Sequence, residues 1–383
     1  MRPARLFIGM ISGTSADGID SALIREEDDQ WQIVHATTVP LETTVVTALS
    51  DALAHPDQLS AAQAGALDAQ LGDAFADAAL QTLSEAKIAP EDVVAIGSHG
   101  QTLFHAPDAK PSFTMQVGDG ARIAARTGIT TINDFRRADI AVGGQGAPLA
   151  PLLHQHWFHT PGRRRVIINL GGISNVTVLD GEDLILGFDT GPANTLMDTW
   201  ARWIGLGDYD ANGALAASAP PDFALLETLL TDPYLHRPPP KSTGREHYSG
   251  VWLAEHLGVD AAAATSLPPE RQAVIMSTLA AFTCESIRRA LHAIDCEPDE
   301  LVICGGGAAN TALMDRLAAT FAPCPVASSA AIGVDPNFVE AALFGWLAAC
   351  YIDEQPIDTT CVTGARQPVI AGCLHKPPGV LQS

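Results

Sequence analysis

The residue best placed to do chemistry is Asp189, in Gly187-Phe188-Asp189-Thr190-Gly191-Pro192. It stands where an apolar run beginning at Leu184 gives way to a helical pattern. In α/β sheets the carboxyl end of a strand is where ligands meet catalytic side chains. A carboxylate held there can take a proton from water or a hydroxyl as general base. Asp or Thr before Gly-Pro is also good N-terminal helix chemistry, and position alone leaves both readings open. A second set is Ser12-Gly13-Thr14-Ser15-Ala16-Asp17-Gly18-Ile19-Asp20, set between two apolar runs. Gly13 and Gly18 let backbone come close to a ligand, and Thr14 and Ser15 offer hydroxyls and N–H groups to an anion. Asp17 and Asp20 would repel a bare phosphate, so a cation such as Mg2+ must accompany it. A polar hairpin tip with no ligand is the plainer alternative.

Ser98-His99-Gly100-Gln101-Thr102 offers neutral donors and acceptors after a strand, suited to a hydroxyl-rich ligand. It lacks the Gly-x-Ser-x-Gly pattern of a nucleophile elbow, which argues against a serine nucleophile. His154, His156 and His159 fall in a helical segment, where residues two apart do not share a face, so they read as ordinary histidines. Arg136 and Arg137 could neutralise an anionic group, but with Asp134 and Asp139 beside them they also read as ion pairs.

The elements that must carry these residues follow from apolar periodicity. Residues 6–24 read as a β-hairpin, 57–86 as one or two helices, and 93–96 and 113–117 as strands. A short helix at 119–127 and a strand at 129–132 lead to Asp134 and a glycine-rich loop, Gly143 to Pro148. The stretch Val166–Leu179 repeats the strand–Gly/Ser/Asn turn–strand design of residues 6–24 about 160 residues further on. A third relative, Leu301–Asn310, runs from a strand into a triple glycine and then a helix at 311–320. Two matching hairpins in successive halves predict two similar domains facing each other across a cleft. Thr190–Asn194 is expected to open a helix, 269–294 and 337–352 to be core helices, and Arg237–Arg245 an ordered surface loop. The stretch holding Pro368, Pro377 and Pro378 reads as a tail. Strands alternating with helices in both halves give the α/β class.

Composition narrows the partners. A chain of 383 residues with 47% hydrophobic and 17% charged residues has the makings of two or three folded domains. A net charge of −22 argues against nucleic acid or an anionic membrane as partner. Seven scattered cysteines with no CxxC pair are neither a disulfide framework nor a zinc site. No apolar stretch approaches the roughly 20 residues that span a bilayer, and the first residues have no signal-peptide pattern, so the expected location is the cytoplasm.

Taken in order, the motifs resemble the anhydro-N-acetylmuramic acid kinases, of the sugar kinase, actin and Hsp70 superfamily. They are Ser-Gly-Thr-Ser-x-Asp-Gly-x-Asp (12–20), Gly-Ser-His-Gly-Gln-Thr (97–102), Asp-Phe-Arg (134–136), Gly-Gly-Gln-Gly-Ala-Pro-Leu (143–149) and Asn-Leu-Gly-Gly-Ile-Ser-Asn (169–175). Phe-Asp-Thr-Gly-Pro (188–192), Lys-Ser-Thr-Gly-Arg-Glu (241–246) and Cys-Gly-Gly-Gly-Ala-x-Asn (304–310) complete the set. The resemblance implies two actin/sugar-kinase-like (ribonuclease H-like) domains, 1–160 and 161–383, flanking an ATP- and sugar-binding cleft, and leaves open that the terminal helix or tail packs back on the first. It implies that ATP and water convert 1,6-anhydro-N-acetylmuramic acid to N-acetylmuramic acid 6-phosphate and ADP, in the recycling of cell-wall sugars.

By motif, Gly13, Thr14, Ser15, Ala16, Asp17, Gly18, Ile19 and Asp20 form a first ATP-phosphate hairpin, with Asp17 and Asp20 managing Mg2+ through water. Asn169, Gly171, Gly172 and Asn175 form the second, and Gly305, Gly306, Gly307 and Asn310 the adenosine side. Asp189 matches the catalytic aspartate. Ser98, His99, Gln101, Thr102, Arg136 and Glu340 are similar in position to sugar-contacting residues. A homodimer is implied as well. Gly191-Pro192-Ala193-Asn194 stands where the family carries Gly-Pro-Gly-Asn, and Ala193 is expected in the first turn of a helix. Two other readings stay open: a kinase of another N-acetylated hexose on the same fold, and a non-catalytic nucleotide sensor.

Overall fold

The computed structural model describes residues 3–13, 18–28, 30–244 and 247–379. The strands are β1 (Arg5–Ile11), β2 (Gly18–Glu27), β3 (Gln30–Pro40), β4 (Val93–Ser98), β5 (Gln101–Ala106), β6 (Phe113–Val117) and β7 (Thr131–Asn133). They continue with β8 (Arg164–Leu170), β9 (Ile173–Asp180), β10 (Asp183–Pro192), β11 (Glu300–Cys304), β12 (Val326–Ser328) and β13 (Cys373–His375). By chain contacts the polypeptide divides into one unit of residues 1–153 with 338–383, and a second of 154–337.

The first unit holds a six-stranded sheet in the order β13-β7-β4-β1-β2-β3. β1, β2 and β3 run antiparallel to their neighbours, while β4 and β7 join β1 in parallel. β3 and the helix Thr43–Ala54 extend the regular structure beyond what apolar periodicity picks out. One face of the sheet is covered by the helix Ala61–Ala86, started by a capping box between Ser60 and Gln63. Its Leu67, Leu71, Phe75 and Leu83 pack with Ile8, Met10 and Ile96.

The helix Val339–Ile352 also belongs to this unit, and glycines explain how closely it lies on the strands. A Cβ on Gly9 would stand 1.9 Å from the Ala341 carbonyl oxygen, and one on Gly97 1.8 Å from that of Phe344. Backbone therefore rests on backbone, which side chains at those positions would prevent. The segment read as a tail is instead built in. β13 pairs antiparallel with β7, and Thr359 and Thr363 donate to the buried Asp139 carboxylate. Asp139 also accepts from the Gly146 N–H (2.6 Å), and a Cβ on Gly144 would lie 2.1 Å from its Oδ2. The glycine-rich loop is thus wrapped on a carboxylate held by neutral donors, whereas Arg137 pairs with Asp134 as expected.

The second unit repeats five of those six strands, in the order β10-β9-β8-β11-β12, with β8–β9–β10 antiparallel and β11 and β12 parallel to β8. Its core is of side chains. The long helix Pro269–Ala293 sends Ile275, Met276, Leu279, Phe282 and Ile287 against Ile168, Val176 and Phe188. The same five-strand order occurring twice is the architecture of the actin/sugar-kinase-like (ribonuclease H-like) class. His154, on the helix Ala150–Phe158, is buried against the Thr177 hydroxyl at 2.8 Å, a structural role as expected. Among the described residues no helix is long and apolar enough to cross a membrane.

Candidate active site

In the first unit the candidate sugar-contacting residues gather where the parallel strands end. Met10 of β1 pairs with Ser98 of β4, and Ser98 with Asn133 of β7, so His99 and Asp134–Arg136 emerge side by side. Arg136 Nε donates to His99 Nε2 at 2.8 Å, and its Nη1 to the Gly146 carbonyl at 2.8 Å. A guanidinium can only donate, so His99 Nε2 must be the unprotonated nitrogen and Nδ1–H donates to Gly100 O at 3.0 Å. His99 is therefore neutral: burial, and then the nearby Arg136 charge, hold it well below the usual imidazole range. Its ring lies 4.6 Å from that of Phe344. Glu340 is one turn before Phe344 on the same helix, hence on the same face, and is exposed.

The other members of this set sit further in. Ser98 is fully buried with its hydroxyl unpartnered, and Thr102 accepts from Gln116 at 3.1 Å. Gln101 is assigned with its amide nitrogen toward the first hairpin, because the opposite orientation sets oxygen against acceptors; so assigned, it donates to Ser12 O (3.2 Å), Ser12 Oγ (2.8 Å) and Gly13 O (3.1 Å). That side chain holds the mouth of the hairpin, a function the sequence pattern does not display. Asp20 accepts from Thr38 at 2.6 Å near the start of β2, in which Gly18 and Ile19 also lie. Thr14, Ser15, Ala16 and Asp17, and likewise Arg245, lie outside the described residues.

In the second unit Asn169 and Asn175 face each other across the β8–β9 hairpin. The turn Gly171–Gly172 is pinned by the residues after Asp189. Asn194 Nδ2 donates to Leu170 O and Gly171 O, both at 2.9 Å, and the N–H groups of Ala193, Asn194 and Thr195 donate to Gly172 O or Gly171 O. Ala193 has φ −112° and stands just before the helix Asn194–Trp203, one residue earlier than expected and with no left-handed strain. β10 runs on to Pro192 before the chain turns. The triple glycine interlocks with the same turn: a Cβ on Gly305 (φ +80°) would lie 2.3 Å from Asn169 Oδ1, and one on Gly307 2.6 Å from Leu170 Cβ. Gly306, between them, would meet nothing. Asn310 Oδ1 accepts from the Leu313 N–H at 3.0 Å and so caps the following helix. Asn175 Oδ1 is buried with no partner, an acceptor beside the strand that carries Asp189.

Asp189 does not cap a helix; it lies within the end of β10, nearly buried at 9% exposure. Thr243 N–H donates to its Oδ2 at 2.9 Å. Lys241, read from the sequence as part of a surface loop, is 6% exposed. Its ammonium donates to Leu235 O (3.0 Å) and Tyr234 O (3.3 Å), and burial pushes its pKa down to about 8. Burial, reinforced by the Asp189 charge, pushes the Tyr234 phenol up, so it remains a donor, to Asp189 O at 2.8 Å. A buried carboxylate at a strand end has the chemistry to take a proton, and glycine turns at its side let backbone approach a ligand.

The family model for anhydro-N-acetylmuramic acid kinase matches residues 5–377. A protein of that name from Xanthomonas campestris pv. campestris (strain 8004) is 44% identical over 373 residues, 97% of each chain. Another, from Shewanella oneidensis, is 43% identical over 368 residues, 96% of this chain and 97% of its own. Matched by that family model over residues 5–377, and 43–44% identical to these relatives over nearly its whole length, the chain belongs to the anhydro-N-acetylmuramic acid kinase family.

Proposed function

We propose that the chain uses ATP and water to open the internal bridge of 1,6-anhydro-N-acetylmuramic acid and to phosphorylate O6, yielding N-acetylmuramic acid 6-phosphate and ADP. The observation that carries this reading is the Asp189 carboxylate, held by backbone at the end of β10 beside the Gly171–Gly172 turn. Asp189 takes a proton from water, whose oxygen bonds to the anomeric carbon as the C1–O6 bond breaks. The freed O6 attacks the γ-phosphorus and ADP departs. Phosphoryl transfer asks for positioning and charge neutralisation more than covalent chemistry, which suits glycine turns on ATP: 13–20 in the first unit and 169–175 in the second. Gly305–Gly307 take the adenosine side, with open space above Gly306 for a flat ring.

Mg2+, bound with ATP, would neutralise phosphate charge. Asp20 is a hard oxygen donor suited to it, and an ion that keeps several waters needs only one or two carboxylates. His99, Arg136 and Glu340 supply the polar contacts to the sugar. Arg136, whose guanidinium donates to His99 and the Gly146 carbonyl, carries the positive charge that suits the acidic lactyl group of a muramic sugar. The test is ADP release with anhydro sugar, with the open sugar and with neither. Dependence on the anhydro form is expected, with Asp189→Asn abolishing turnover but retaining nucleotide. Preference for the open sugar, or full turnover by Asp189→Asn, would overturn the reading.

A further inference from the structure

Between the helices Phe223–Leu229 and Gly250–Leu257, residues 232–244 are irregular and proline-rich yet tied to one another and to His247. At their base Asp232, 4% exposed, accepts from Tyr234 N–H (2.8 Å), Trp252 Nε1 (2.9 Å) and His247 Nε2 (3.0 Å), so the two ends of the segment meet on one carboxylate. Midway, the Lys241 ammonium draws the returning arm onto the carbonyls of Tyr234 and Leu235, with the Tyr234 ring 4.8 Å below it. The loop so closed touches Asp189 at three separate groups. Tyr234 Oη donates to its carbonyl, its N–H donates to Lys241 O at 3.1 Å, and Thr243 N–H donates to its carboxylate. Seating is close: a Cβ on Gly191 (φ +143°) would come 3.0 Å from Leu235 Cδ2.

We infer that residues 232–244, anchored at their base with His247, are a strap whose work is to aim the Asp189 carboxylate, with Thr243 N–H, Lys241 and Asp232 as positioning residues. The inference rests on Asp189 being the base. A strand end by itself fixes a backbone but leaves two side-chain torsions free. One backbone N–H on Oδ2, from a loop tied to the same residue's main chain, removes that freedom and leaves the base oriented before substrate arrives.

The experiment compares kcat and the KM for ATP in Thr243→Pro, Thr243→Ala and Lys241→Met, alongside Asp189→Asn. Proline deletes the N–H; alanine keeps it. Thr243→Pro is expected to lower kcat by about 10- to 100-fold, the worth of a hydrogen bond to a charged group, with KM for ATP within about twofold of the parent. Thr243→Ala is expected to lose at most about threefold in kcat. Equal kcat for the proline and alanine variants, with Asp189→Asn inactive, overturns the strap and leaves the base standing. Full turnover by Asp189→Asn overturns the base, and the strap with it. Should Thr243→Pro fail to fold, Lys241→Met decides: reduced kcat at unchanged KM for ATP supports the strap, and parental kcat overturns it.

Discussion

The two hairpins, β1–β2 and β8–β9, share a design and differ in how they are held. Each turn is gripped by a carboxamide side chain from a following segment: Gln101 on Ser12 and Gly13, Asn194 on Leu170 and Gly171. The second turn also receives backbone N–H groups from Ala193, Asn194 and Thr195. At the first, the described backbone help is Ser12 N–H to Gly100 O at 3.3 Å. The sheets differ in a parallel way. The first lies against the helix Val339–Ile352 through glycine backbone, the second against Pro269–Ala293 through large side chains. One repeat thus relies on a few contacts with no slack, and its counterpart on many that can adjust.

The sharpest way to break this comparison is at the glycine contact. Gly9→Ala drives a methyl into the Ala341 carbonyl, which cannot rotate away, so a loss of about 3 kcal/mol or failure to fold is expected. Ala280→Gly, on the long helix of the other unit, is expected to cost only about 1 kcal/mol. Urea melts of the two variants measure both, and similar losses would mean the layers are equally tolerant.

Acid tests a feature the repeats share, one neutral buried histidine each: His99 in the first, His154 in the second. Burial pushes His154 down to about 3, and burial with Arg136 holds His99 well below its ordinary value. Both folded values lie below the unfolded one, so their stability is complete above about pH 6.5 and is lost as the pH falls. Between pH 6.5 and 5 His154 is expected to cost about 1.5–2 kcal/mol, and His99 acts in the same direction. His154→Gln should shrink the difference between melts at the two pH values by that amount. An undiminished difference would show that burial does not hold His154 neutral.

The carboxamides give smaller effects. Gln101→Ala removes three contacts from one turn and is expected to raise the KM for ATP about tenfold; Asn194→Ala leaves the backbone donors and is expected to raise it about threefold. Equal shifts would erase the difference between the hairpins. Smallest is Ala193→Gly, which introduces the residue that the resemblance implies at this position. With φ −112° there is no strain to relieve, so added chain freedom should cost about 0.5–1 kcal/mol, read as a slight fall in Tm.

Much of this was legible in the residues. The doubled strand–glycine–strand pattern, the α/β class, the long helix at 269–293 and the candidate base at a strand end all follow from periodicity and turn chemistry, which are local. β3 alternates faintly because it is an edge strand exposed along much of its length, and it passes unnoticed. Asp189 stays a possible helix cap until β10 is seen to run through it, because the Gly-Pro that follows is good helix-start chemistry. The strap reads as surface because proline, lysine and arginine usually are.

The sequence by itself determined which segments become strands and turns, and, through its ordered motifs, the family. Only the tertiary structure decided which polar groups meet. It carried residues 338–379 back to the first sheet, gave Asp139 to Thr359 and Thr363, turned Lys241 inward, and set Thr243 on Asp189. Those partners lie 54 to 224 positions apart. No local preference encodes such a pairing; it emerges when the sheets are covered and each buried donor or acceptor must find a partner within reach.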